Sequence, residues 1–193
     1  MRSWLRELQV LLLVAVVATV AIGAASTIAI LTGEPFPIGV PGAEVLRLNS
    51  VGTIPGAVVD PDSTIYVLVE DPTEDQVALA LIAALPGYAL TTTMLVLLWR
   101  LVAKARRTDT FTGATVRRLR TLGWLLIVGG PVAWLVEFAA RFALSDTVAT
   151  QGAGATLDLG TPGVWLLVGV GMLAISEVVH RGQTLQSELD EVV

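Results

Sequence analysis

Charged side chains that could find a partner at helical spacing are few in this 193-residue chain, and two groups stand out. Glu137 and Arg141 lie four residues apart, so on a helix they share a face and can form an ion pair. Glu177 stands one turn before His180 and Arg181, and an arginine cluster, Arg117, Arg118 and Arg120, occurs earlier in the chain. Within a membrane an unpaired charge costs roughly 2.5–3.5 kcal/mol on insertion scales, so each group needs an explanation. A carboxylate beside a guanidinium could bind a substrate, couple a proton or act as a switch. It could equally serve as a structural clamp between helices.

Other chemistries are poorly supplied. The chain has no cysteine and one histidine, His180, which excludes thiol catalysis, disulfides and zinc or haem sites built from histidines. Gly169-Val170-Gly171-Met172-Leu173-Ala174 nominally fits a dinucleotide fingerprint, but no strand precedes it. Small residues there suit close helix packing instead. No nucleophile elbow, phosphate loop or metalloprotease helix is present. The expectation is a protein that is not an enzyme and carries no cofactor or metal.

The elements that position these residues follow from composition. Hydrophobic residues make up 54% and charged residues 15% of the chain, against roughly 25% charged in ordinary soluble domains. Mean hydropathy is +0.74. The apolar residues fall into four blocks, and a bilayer core needs about 20 helical residues per crossing. The spans expected are 8–31, 72–102, 113–142 and 162–180. Asp71 at the N-cap, Pro72 at N1 and Glu74 closing a capping box would start the second. Thr112 would cap the third. Thr161 with Pro162 would start the fourth. Kinks are expected at Pro86-Gly87 and at Gly129-Gly130-Pro131.

Orientation follows from where the basic residues fall. Between spans two and three lie Arg100, Lys104, Arg106, Arg107, Arg117, Arg118 and Arg120, opposed by Asp109. The first loop carries Glu34, Glu44, Asp60, Asp62, Glu70, Asp71, Glu74 and Asp75 against Arg47. Both termini and the middle loop are therefore expected in the cytoplasm. Trp4, Trp99, Trp134 and Trp165 fall near the membrane boundaries as anchors, and Trp124, lying deeper, is expected to pack between helices. The basic run is explained by this topology, so no direct nucleic-acid partner is expected.

The segment 32–71 is too long for a plain connector. Val45–Leu48, Ala57–Val59 and Thr64–Val69 are β-prone, with turn chemistry at Asp60-Pro61-Asp62-Ser63. The fold class expected is an all-α membrane protein of four transmembrane helices, a single domain. A small extracytoplasmic β-hairpin or three-stranded cap would sit between helices one and two.

Antiparallel spans three and four place Glu177 at the depth of the arginine cluster. Arg117 and Arg120 are three residues apart and share a face, so one of them is the expected partner of Glu177. Arg118 would point to lipid headgroups. Glu137 and Arg141 would form an interfacial pair near the other end of span three.

Two stretches carry a resemblance. One is Phe111-Thr112-Gly113-Ala114-Thr115-Val116-Arg117-Arg118-Leu119-Arg120, leading on to Trp124. The other is Ala174-Ile175-Ser176-Glu177-Val178-Val179-His180-Arg181-Gly182, followed by Glu188-Leu189-Asp190. They resemble a bacterial integral membrane family, the domain of unknown function numbered twenty-nine seventy-five. Thr110, Val179 and His180 depart from that family's pattern. The resemblance implies a multi-pass protein of the bacterial plasma membrane, in the genetic company of small helix-turn-helix regulators. It implies no activity.

Gly182 suits a helix C-cap, with Leu185 and Leu189 on a short amphipathic turn beyond it. The expected role is to dock or regulate a partner, such as a cytoplasmic regulator, at the inner face. The alternative is a small transporter or channel subunit working as a homo-oligomer, with Glu137, Arg141 and Thr91–Thr93 as its polar groups.

Overall fold

The structure is a computed structural model, and it describes residues 2–42, 63–105, 113–148 and 159–192. Its elements in chain order are α1 (Arg2–Leu31), β1 (Phe36–Pro41), β2 (Thr64–Val69), α2 (Glu74–Ala105), α3 (Gly113–Asp146) and α4 (Gly160–Val192). Each helix holds a stretch long and apolar enough to cross a membrane: Arg6–Leu31, Glu74–Lys104, Val116–Asp146 and Gly160–Gly182. The 34 residues of α3 correspond to about 50 Å of helix, well beyond a hydrocarbon core of about 30 Å. The ends of such helices reach polar surroundings, and the charged groups lie towards those ends.

Local chemistry sets the helix ends. α1 stops in a Schellman motif. Gly33 adopts φ +73°, a left-handed conformation that favours glycine. The N–H groups of Glu34 and Gly33 donate to the carbonyls of Ala29 and Ile30 at 3.1 and 3.3 Å. α2 starts differently from the expectation built on Asp71, Pro72 and Glu74. Thr73 is the N-cap, and its Oγ1 accepts from the Gln76 N–H at 3.4 Å. The Gln76 Oε1 accepts from the Thr73 N–H at 3.0 Å, completing the reciprocal box. Thr-x-x-Gln outcompetes the earlier start because Gln76 is also held by Thr147, a hydrogen bond that Glu74 of the earlier box lacks in this structure. α4 likewise begins at Gly160, so Thr161 and Pro162 lie inside its first turn. It also runs on past Gly182, which is not a C-cap. α2 and α3 continue unbroken through Pro86 and Pro131.

The chain folds as two compact units. One comprises Met1–Ile22, Tyr88–Ala133 and Gly160–Val193, and the other Gly23–Gly87 and Trp134–Leu159.

In the first unit α3 and α4 meet backbone to backbone. A methyl group at Gly169 would lie 3.0 Å from the Gly123 carbonyl and 2.7 Å from the Ile127 side chain. One at Gly123 would lie 2.7 Å from Leu173, and one at Gly130 2.5 Å from the Trp165 Cβ. Leu122 and Leu126, one position away on α3, are 1% and 0% exposed. On α2, Leu90 lies 3.1 Å from where a Gly129 Cβ would stand. Gly169 thus performs the close packing expected of the small residues on α4, whereas Gly171 faces open space.

In the second unit the core is Ile38, Ala80 and Leu144, with Ile30, Phe36, Val69, Leu79 and Val148 against it. β1 and β2 pair antiparallel, Phe36 opposite Val69 and Pro41 opposite Thr64. Alternation turns Ile38 and Val40 inward, while Tyr66 and Leu68 are exposed on the other face. The partner of Thr64–Val69 is therefore Phe36–Pro41, a run that Pro37, Gly39 and Pro41 disguise. In a two-stranded sheet every strand has an open side, which proline tolerates. The β-prone runs 45–48 and 57–59, and the turn residues 60–62, lie outside the described residues.

Gln76, 8% exposed, also donates its Nε2 to Thr147 Oγ1 at 3.0 Å, tying the start of α2 to the end of α3. Gln76→Ala removes the cap and this link together. It should lower unfolding stability in detergent by about 1–2 kcal/mol. Asp71→Ala, outside the helix, should change it by less than about 0.5 kcal/mol. Equal losses from the two substitutions would contradict the assigned cap.

Candidate functional site

Glu137 and Arg141 pair as their spacing predicts. The Arg141 Nη2 donates to Glu137 Oε1 at 2.6 Å, with the two side chains 65% and 27% exposed. An i,i+4 pair this open contributes about 0.3–0.5 kcal/mol, enough to order side chains locally and little more. Beside it on α3, Trp134 stacks on Phe138 with centroids 5.6 Å apart, and Phe138 contacts Phe142 at 6.5 Å. This aromatic ladder follows the same four-residue step.

Glu177 does not meet Arg117 or Arg120. Its ion-pair partner is Arg181 of its own helix, whose Nε donates to Oε1 at 3.0 Å, and the pair is exposed. Arg120 acts on the carboxylate only through its more distant charge. The cause is helical phase. Trp165, Gly169 and Leu173 are the α4 residues that meet α3, Ser176 beyond them is buried, and Glu177 is one residue, about 100°, past Ser176. That rotation swings its carboxylate out of the contact. Arg117, Arg118 and Arg120 are exposed likewise, and none forms an ion pair among the described residues. The spacing rule that reveals Glu137–Arg141 applies equally to Glu177–Arg181, with the acid N-terminal to the base.

Three hydroxyls within the spans are spent locally. Ser145 and Ser176, 0% and 2% exposed, donate to the Phe142 and Leu173 carbonyls of their own turns, both at 2.9 Å. Thr93 donates to the Ala89 carbonyl at 2.7 Å. Among the described residues no three His, Asp or Glu side chains gather as metal ligands would.

The tryptophans divide. Trp4 is exposed, as an anchor would be. Trp165 packs over Gly130. Trp99 buries an indole N–H that has no hydrogen-bond partner among the described residues. Trp124 is 53% exposed and does not pack between helices, because its position follows the arginine face of α3 and not the Leu122–Leu126 face.

A double-mutant cycle on thermal unfolding separates the two pairings of Glu177. Glu177→Gln and Arg181→Gln should be non-additive, whereas Glu177→Gln and Arg120→Gln should add. Coupling stronger to Arg120 than to Arg181 would contradict the observed geometry.

No curated protein and no solved structure matches the chain. The family described as Protein of unknown function (DUF2975) matches residues 16–193, which include all four spans from the middle of α1 onward. That range also holds both stretches of the resemblance, around Arg117–Arg120 and around Glu177–Arg181. The chain, with its four helices long and apolar enough to span a membrane, belongs to the DUF2975 family.

Proposed function

We propose that this is a non-enzymatic protein of the bacterial plasma membrane. It docks a cytoplasmic regulator at the ends of α3 and α4 that carry Arg117–Arg120 and Glu177–Arg181. Both termini then lie in the cytoplasm, and the two-stranded sheet lies on the opposite side. The observation that carries this reading is the outward turn of Glu177 and Arg181, side chains 47% and 77% exposed. A pair placed to clamp two helices would be enclosed between them. This one is presented instead, beside Val178, which is 70% exposed. A charged pair next to an open aliphatic side chain suits protein recognition.

The charge asymmetry supports the orientation. Transport finds less support, because Ser145, Ser176 and Thr93 return their hydroxyls to their own helices. Glu137 and Arg141 are satisfied by each other.

Two measurements in cells test the proposal, helped by a chain that has no cysteine. An impermeant thiol reagent added outside should label Glu70→Cys and not Arg181→Cys; the reverse would overturn the orientation. A photoreactive side chain at position 181 should give a discrete adduct with a soluble protein, and one at position 164 should not. Adducts with lipid alone, or with a second copy alone, would contradict a docked regulator.

A further inference from the structure

We propose that Arg117, Arg120 and Trp124 form a headgroup site for an anionic phospholipid on the exposed face of α3. Three observations lead there. First, no carboxylate of a described residue pairs with these guanidinium groups. Arg117 and Arg120 are exposed, and the nearby Glu177 is engaged by Arg181. Sorting a membrane protein by positive charge requires only that the charges exist near a span. It does not require that they remain unpaired in the folded chain.

Second, the indole shares their face. Positions 117, 120 and 124 follow one another at three- and four-residue steps, opposite the buried stripe of Leu119, Leu122 and Leu126. Trp124 stands 53% exposed there, a large aromatic side chain left uncovered by its own chain.

Third, the polarity along the stripe changes in the order of a phospholipid. After the two arginines and the indole come Val128 and Val132, 56% and 54% exposed. The rise from Arg120 to Trp124 is about 6 Å and from Trp124 to Val132 about 12 Å. Those steps fit a phosphate, then the glycerol ester region where indoles concentrate, then acyl chains. The planar guanidinium fork grips a phosphate through two parallel hydrogen bonds, which a lysine cannot do.

The phosphate diester supplies the negative charge, and a headgroup with no compensating amine leaves the lipid with net charge. Phosphatidylglycerol is therefore a ligand of the stated chemistry and phosphatidylcholine is not. Two basic side chains near an anionic surface favour such a lipid by roughly thirtyfold. The preference should weaken as ionic strength rises.

The test uses the full chain in detergent, titrated with phosphatidylglycerol, phosphatidylcholine or inorganic phosphate, with binding followed by native mass spectrometry. Phosphatidylglycerol should bind roughly thirtyfold tighter than phosphatidylcholine. R117Q/R120Q should abolish most of that ratio and R141Q, on the same helix, should not. A second measurement does not depend on the double variant folding. Phosphatidylglycerol with brominated chains should quench tryptophan fluorescence more than its phosphatidylcholine counterpart, and Trp124→Phe should remove that increment. Equal binding of the two lipids by the unaltered protein would overturn the proposal. So would a preference that survives R117Q/R120Q, a quenching increment that survives Trp124→Phe, or displacement of the lipid by inorganic phosphate.

Discussion

The close approach of α3 and α4 at Gly123 and Gly169 is the constraint from which the rest of the first unit follows. In lipid the hydrophobic effect gives helices no reason to prefer each other over acyl chains, so association rests on packing contacts and on what the backbones allow. Glycine at both positions lets the carbonyl of Gly123 lie 3.0 Å from where a Gly169 Cβ would be. Leu173, Ile127 and Trp165 then fill the remaining space from the two sides. With the contact stripe of each helix set in this way, every other residue's direction is settled by the 100° step.

That phase explains where the charges point. Arginines and a glutamate at matching depth invite the idea of a clamp between helices. The glycine stripe instead occupies the contact, while Glu177, one residue beyond buried Ser176, and the arginines of α3 are exposed. Glu177 consequently finds its partner within its own helix at Arg181. Arg117 and Arg120 are left facing outward beside Trp124, whose exposure has the same origin. An arrangement that looks internal when only depth is considered becomes a surface once rotation is included.

Depth and length were legible in the residues, and rotation was not. Four apolar blocks longer than a bilayer crossing identify the helices, and the pair Glu137–Arg141 can be read from its spacing because both partners sit on one helix. Thr64–Val69 shows itself as a strand by its β-branched residues, whereas its partner Phe36–Pro41 hides behind two prolines that only an open sheet edge tolerates. The Thr73–Gln76 box competes with an equally regular pattern at Asp71–Glu74, and the choice depends on Gln76 reaching Thr147 across the fold. The side chain facing a neighbouring helix depends on where the smallest residues permit contact. That is a property of two helices together, which no single stretch of sequence contains.

The central claim is that α3 and α4 meet through their glycine stripe, with the charged residues turned away. Oxidative cross-linking of paired cysteines tests it most directly in a chain that otherwise has none. In Gly123→Cys/Leu173→Cys the second substitution vacates the nearest atoms that a side chain at 123 would strike, 2.7 Å away, and leaves a 3.0 Å approach to the Gly169 carbonyl. That pair should form a disulfide rapidly under mild oxidation, while Arg120→Cys/Glu177→Cys should remain reduced under the same conditions. Rapid closure of the 120–177 pair with none at 123–173 would contradict the account.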